Sequence, residues 1–315
     1  MTEHPVRFGP EASLVGMLTQ PDSPERSRVA FLMLNAGLIS RIGPHRFNVK
    51  LARALAGVGQ TSLRFDLAGF GDSRATSTGA DFTTQAVRDI VSAMDFLGRS
   101  CGIHRFALVG ICSGAVNAFA AALVDPRVVG ALMVDGHIYR THWTTPVRRW
   151  KRFRAASWSE VSANLRRRLL RVLTPGGVGA GDVADDEEFP MPVSPPRAEF
   201  VVQVQALADR DVAVFFMYSG SCIEDFSYGA QFRHAFRREG FLDQVRCDYR
   251  PDIDHTMISL EAQRKVIDAV LGWVPAVQQA CGVTTSARGA KPEQGRDPMD
   301  PRPTGEKGQG SPLPS

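Results

Sequence analysis

A chain of 315 residues, 43% hydrophobic and 22% charged, carries enough apolar material for a sizeable core, which excludes a coiled coil, a collagen-like fibre or global disorder. A net charge of +4 is weak for this length, and no recognition motif accompanies the arginines, so no nucleic-acid partner is expected. Five cysteines without a CxxC or a His/Cys ligand spacing argue against a disulfide framework and a structural zinc site; the reading calls for no metal, no cofactor and a reducing, cytoplasmic setting.

In chain order, residues Met1 to Phe8 lack the charged-then-apolar layout of a secretion signal. No apolar run reaches the roughly 18 residues needed to span a bilayer, so no transmembrane segment is expected. Val6 to Pro21, broken at Gly9-Pro10, predicts two opening strands joined by a turn. Val29 to Leu34 is a continuous apolar run suited to a strand covered on both faces, and Phe47 to Val58 follows with helical spacing. The alternation recurs as Thr61 to Phe65 with Thr84 to Leu97, and Phe106 to Val109 with Ala115 to Val124, before the strand Val128 to Val134. Such alternation predicts an α/β fold with a mostly parallel sheet and helices on both faces. The rhythm breaks after Gly136 and resumes with a strand at Asp211 to Tyr218, a helix at Ala230 to Arg238, a strand at Gln244 to Tyr249 and a helix at Leu260 to Trp273. The expected organisation is a core of residues 1–136 and 208–283, a basic helical cap of residues 137–207, and a disordered tail of residues 284–315, rich in Pro, Gly and charge.

The chemistry centres on Phe106-Ala-Leu-Val-Gly-Ile-Cys-Ser-Gly-Ala-Val, a strand running into a small-x-nucleophile-x-small turn and then a helix. A sharp turn of this kind lifts one side chain to the top of the sheet, and a Cβ at either flanking glycine would clash. Cys112 occupies the central position of the glycine frame; the rival frame, centred on Ser113, puts the β-branched Ile111 where a small residue belongs. A free cysteine is most often a small buried hydrophobe, but a seat at a strand-to-helix turn, where the helix dipole favours a thiolate, points to a nucleophile. Attack on a carbonyl needs two N–H donors for the oxyanion: Ser113, after the nucleophile, and Leu38, beyond Leu34-Asn-Ala-Gly37, fill those places. His255 lies after the last strand and before the last helix, where the general base belongs in the order nucleophile, acid, histidine. The acid should follow the strand ending at Tyr218, where Glu224 and Asp225 are candidates and spacing from Gly220 favours Glu224; Asp135, at the end of the preceding strand, is the rival.

Leu34-Asn-Ala-Gly, Arg64-Phe-Asp-Leu-Ala-Gly-Phe-Gly-Asp-Ser73, Gly110-Ile-Cys-Ser-Gly-Ala115, Asp125-Pro-Arg-Val and Asp254-His255-Thr together resemble the α/β hydrolases of the serine-aminopeptidase-like group. The likeness is strongest to a subset with a cysteine elbow associated with exosortase and exopolysaccharide genes. It covers roughly Val6 to Trp273 and carries information on fold more than on substrate. Two departures stand out: the Asp66 motif has one residue more before its glycine, and the Gly-x-x-Asp usual after the seventh strand is absent.

Between Pro146 and Leu173, nine cations (Arg148, Arg149, Lys151, Arg152, Arg154, Arg166, Arg167, Arg168 and Arg171) stand against the single acid Glu160. Ser157-Trp-Ser-Glu160 is a capping-box pattern, and Val161, Leu165, Leu169 and Val172 make an apolar face, so two amphipathic helices are expected over the site. The basic segment reads either as a solvated face or as an attractor for an anionic acyl donor, such as an acyl-carrier protein or a coenzyme A thioester, or for an acidic membrane surface. The acidic run Asp185 to Glu188 would shield it in part. The expected activity is hydrolysis of an ester or thioester through Cys112, His255 and Glu224; the alternatives are acyl transfer through the same intermediate, or an inert hydrolase-fold binding protein.

Overall fold

The computed structural model describes residues 1–22, 28–76, 79–155 and 194–282. The capping box at Ser157, the second amphipathic helix with its arginines, the Asp185 to Glu188 run and the tail from residue 284 lie outside the described residues.

Eight strands form one sheet in the order β1-β2-β4-β3-β5-β6-β7-β8. The antiparallel pair β1 (Thr2–Phe8) and β2 (Leu14–Gln20) sits at one edge, with β2 also antiparallel to β4. From β4 (Thr61–Phe65) through β3 (Val29–Met33), β5 (Arg105–Ile111), β6 (Val128–Val134), β7 (Ala213–Ser219) and β8 (Arg246–Arg250) the pairing is parallel. Every residue of β3, β4 and β6 is buried, as expected for strands covered on both faces.

Helices α1 (Phe47–Gly57), α2 (Phe82–Cys101) and α3 (Ser113–Val124) follow the first strands. Helix α2 starts two residues before its first predicted residue because Asp81 caps it, its carboxylate accepting the Thr84 N–H at 3.1 Å. Helix α4 (Thr144–Ala155) opens the basic insertion. Helix α5 (Arg197–Ala208) falls inside the span read from sequence as cap, yet it buries Phe200, Val204, Leu207 and Ala208 against the sheet. The spacing of four, three and one residues between these positions is one helical face turned to the core. The helix predicted at Ala230 to Arg238 is a short α6 (Gln231–Ala235). Helix α7 (Leu260–Leu271) is capped by Ser259, and a further turn of chain, α8 (Val274–Ala280), extends past the predicted end at Trp273. Its cause lies in β6: a Cβ on Gly130 would meet Val277 at 2.9 Å and Trp273 at 3.0 Å, so the glycine lets α8 lie directly on the strand.

One face of the sheet carries a cluster of aromatic rings. Phe200 packs on Phe119 (5.4 Å), Phe216 (5.8 Å), Phe236 (5.4 Å) and Tyr139 (4.8 Å). Truncating a wholly buried phenylalanine removes its transfer free energy and leaves a cavity, so Phe200→Ala should cost about 3–5 kcal/mol, read as a lower chemical-denaturation midpoint at unchanged slope.

Candidate active site

The strand-to-helix turn forms where the glycine frame places it. Cys112 joins the end of β5 to the start of α3 with φ 57° and ψ −122°, in a region of backbone space that L residues rarely adopt. The turn is held from outside: the Cys112 N–H donates to Val134 O at 2.9 Å, and Cys112 O accepts from Ala115 N at 3.0 Å. Both flanking glycines are sterically required, since a Cβ on Gly110 would stand 2.1 Å from Gly114 O and one on Gly114 would stand 2.5 Å from Asn35 O. The apex of the turn is therefore Cys112. Ser113 is the first residue of α3, and its hydroxyl accepts the Gly37 N–H at 2.9 Å, tying the loop after β3 to the start of the helix.

That loop carries Leu38. The Ile39 N–H closes a turn onto Ala36 O at 3.0 Å, which leaves the Leu38 N–H outside the turn's own bonding. At the start of α3 the Ser113 N–H has no helical acceptor either. The loop is pinned by a buried carboxylate to which the sequence reading assigned no role. Asp66, fully buried, accepts from Asn35 Nδ2 (3.3 Å), Arg41 N (2.5 Å) and Asp72 N (3.2 Å), and pairs with the Arg41 guanidinium. A Cβ on Gly71 would meet its carboxylate at 2.3 Å, so the glycine of the Asp66 motif exists to let the chain fold back over the acid. The signal was present in the motif, but Arg41 lies outside it.

His255 stands across from Cys112, and the two side chains are hydrogen-bonded. Its Nδ1 lies 2.8 Å from Oδ2 of Asp135, which leaves Nε2 for the sulfur. Asp135 follows the last residue of β6, with φ 51°, and is fully buried. Of the three carboxylates weighed from sequence, the structure thus brings Asp135 to the imidazole. Glu224 and Asp225 face the other way: Glu224 pairs with Arg148 at 2.6 Å, and Asp225 pairs with Arg140. Glu224 ends the 3-10 turn that succeeds β7 and Asp225 follows it, and both pair with arginines at the start of the basic insertion.

Asp135 and then Cys112 hold the imidazolium of His255 well above its ordinary range, pushing its pKa up to about 10 against the opposing cost of burial. Because the folded value exceeds the ordinary 6.5, the interaction stabilises the folded chain fully below about pH 6.5 and is lost as pH rises through about 10. In an NMR titration, the His255 ring protons should therefore not titrate between pH 6 and 8. Asp135→Asn should bring the midpoint down, and Cys112→Ala should lower it by a smaller amount. His137, two residues after Asp135, behaves oppositely. Buried against Phe119 (5.3 Å) and Phe200 (5.7 Å), it has its pKa lowered to about 4 by desolvation alone and stays neutral.

Two of the four described cations of the basic helix are already engaged. Arg148 holds Glu224, and Lys151 donates to Ser227 O at 2.7 Å and lies over the Tyr249 ring. Arg149 and Arg154 are exposed, Arg154 stacking on the exposed Trp150 at 4.8 Å. Among the described residues, no group of three or more His, Cys, Asp or Glu is placed to hold a metal ion, and no helix is long and apolar enough to cross a membrane.

A parallel sheet with an antiparallel edge, a strained strand-to-helix turn after β5 and a histidine after β8 are the arrangement of the α/β-hydrolase fold. The family model described as alpha/beta hydrolase fold matches residues 30–174. Solved structures similar to this chain include an esterase of Pyrococcus furiosus (14% identity, TM-score 0.54, covering 87% of this chain and 91% of that one). Others are a dienelactone hydrolase of Anabaena variabilis (14%, 0.53, 86% and 96%) and the α/β hydrolase GrgF of a Penicillium species (14%, 0.53, 90% and 100%). No curated protein matches the sequence significantly.

Proposed function

We propose that this protein hydrolyses an ester or thioester through an acyl-enzyme on Cys112, with His255 as general base and acid and Asp135 as the carboxylate that orients it. The observation that carries the reading is the unbroken chain of side-chain contacts from Cys112 through His255 to Asp135, starting at a strained apex. Sγ, its proton already held on Nε2 of the His255 imidazolium, attacks the carbonyl carbon, and the C=O π pair moves onto the oxygen. The N–H groups of Leu38 and Ser113 receive the oxyanion, aided by the dipole of α3. Collapse breaks the bond to the leaving alcohol or thiol, which takes the proton from the imidazolium. Water then attacks the acyl-thioester, His255 removing its proton, and the acid departs as the C–S bond breaks, restoring Sγ beside the His255 imidazolium.

The esterase and the dienelactone hydrolase of similar fold support the hydrolase class. A thioester intermediate is open to amines, alcohols and thiols, so transfer to such an acceptor is the second reading, resting on the same sulfur. The exposed Arg149 and Arg154 favour an acyl donor on an anionic carrier, such as an acyl-carrier protein or coenzyme A. The discriminating test against an inert binding protein is thiol labelling. With iodoacetamide at neutral pH, Cys112 should alkylate much faster than Cys101, Cys222, Cys247 and Cys281, and His255→Ala should abolish the difference. Uniform slow labelling of all five thiols, unaffected by His255→Ala, contradicts the reading.

A further inference from the structure

Asp135 carries two buried oxygens at the crux of the site, and a buried carboxylate must be supplied with donors. Besides His255, they come from the end of β7 and the turn that follows it, beside the loop where the sequence led us to expect the acid itself. The Ser219 N–H donates to Oδ1 at 2.7 Å, and the Ser219 hydroxyl donates to Oδ2 at 2.6 Å, the same oxygen that faces His255. Ser219 is buried, and its Oγ in turn accepts the Ser221 N–H at 3.3 Å, which directs the hydroxyl proton toward the carboxylate. The Cys222 thiol also lies against Asp135; burial pushes it up, so it remains a protonated donor.

The next residue but one acts on the base. The Ser221 hydroxyl accepts the backbone N–H of His255 at 2.9 Å. Between the two serines, the Gly220 N–H donates to Ile253 O at 2.8 Å, and a Cβ there would stand 2.3 Å from Pro251 O. The glycine thus lets the tripeptide lie flat against the loop that carries His255.

We propose that Ser219 and Ser221 are positioning residues, Ser219 fixing the carboxylate of Asp135 and Ser221 fixing the backbone at His255, so that one tripeptide sets the geometry between acid and base. The proposal rests on the Cys112–His255–Asp135 reading. Each serine acts through a group that the reaction uses, Ser219 through the carboxylate and Ser221 through the His255 backbone. Without the Ser219 hydroxyl, Oδ2 keeps His255 as its single close donor besides the thiol and the carboxylate is free to turn, and a misplacement on the order of 1 Å costs about 10²-fold in rate.

The test uses p-nitrophenyl butyrate turnover and the low-field proton NMR signal of the hydrogen between His255 Nδ1 and Asp135, on the full chain. Ser219→Ala should lower kcat about 10²-fold with KM nearly unchanged, and should shift or broaden that signal, while the protein still melts in one cooperative transition at a somewhat lower temperature. Ser219→Thr, which keeps the hydroxyl, should recover most of kcat. Ser221→Ala should lower kcat less and leave the signal in place. The proposal is overturned if Ser219→Ala keeps wild-type kcat and signal, or if Ser219→Thr loses as much as Ser219→Ala. Failure of the underlying triad would show separately, as full activity in Asp135→Asn.

Discussion

Replacement of Cys112 by alanine is expected to lower kcat on aryl esters and acyl thioesters by about 10⁴-fold or more, because the residue that forms the covalent intermediate has no substitute at the apex of the turn. His255→Ala should cause a loss of the same order, and the double variant should be hardly worse than either, since the two groups act as a unit. Ser113→Ala should be far milder. It removes the acceptor of the Gly37 N–H and so loosens the loop that carries Leu38, but it leaves the Ser113 backbone N–H in place. Steady-state kinetics on the three variants checks this ordering. Wild-type turnover in Cys112→Ala, with loss in Ser113→Ala, would move the nucleophile by one residue.

The second large effect concerns the acid. Asp135→Asn should reduce kcat by about 10⁴-fold, because an amide in place of the carboxylate no longer stabilises the imidazolium and favours the wrong tautomer of His255. Glu224→Gln should stay within about threefold of wild type. Its carboxylate is half-exposed and paired with Arg148, a contact of the kind that contributes at most about 1 kcal/mol to stability. The contrast is measured as kcat/KM of the two variants side by side. A collapse in Glu224→Gln with activity retained in Asp135→Asn would return the acid to the loop after β7.

The turn at Cys112 and the place of His255 in the fold were readable in the amino-acid sequence because both are local. Gly110 and Gly114 are demanded by contacts within four residues or with the adjacent strand end, and His255 occupies a fixed slot between the last strand and helix. Which carboxylate meets His255 was not, for a reason of register. Strands β6 and β7 pair with Val134 beside Met217, so their C-terminal ends reach the imidazole side by side, and spacing along the chain cannot say which end supplies the carboxylate. What separates the candidates is far away in sequence: Arg148 and Arg140 claim Glu224 and Asp225, while Ser219 donates to Asp135. The same distance effect hid the role of Asp66, whose partner Arg41 lies on another loop. It also hid the core role of α5, whose Phe200 finds Phe119, Phe216 and Phe236 on elements remote from it in the chain. Arg148 and Lys151, read as attractors for an anionic partner, are turned inward for the same reason, which leaves that task to Arg149 and Arg154.

The central claim is that Cys112 carries the acyl group. Intact-mass spectrometry after brief incubation with short acyl-coenzyme A thioesters and p-nitrophenyl esters, followed by peptide mapping, tests it most directly. The account predicts one acyl adduct, on the peptide that contains Cys112, labile to hydroxylamine, and missing from Cys112→Ala. An adduct on Ser113, or turnover of those substrates by the Cys112→Ala protein, would contradict it.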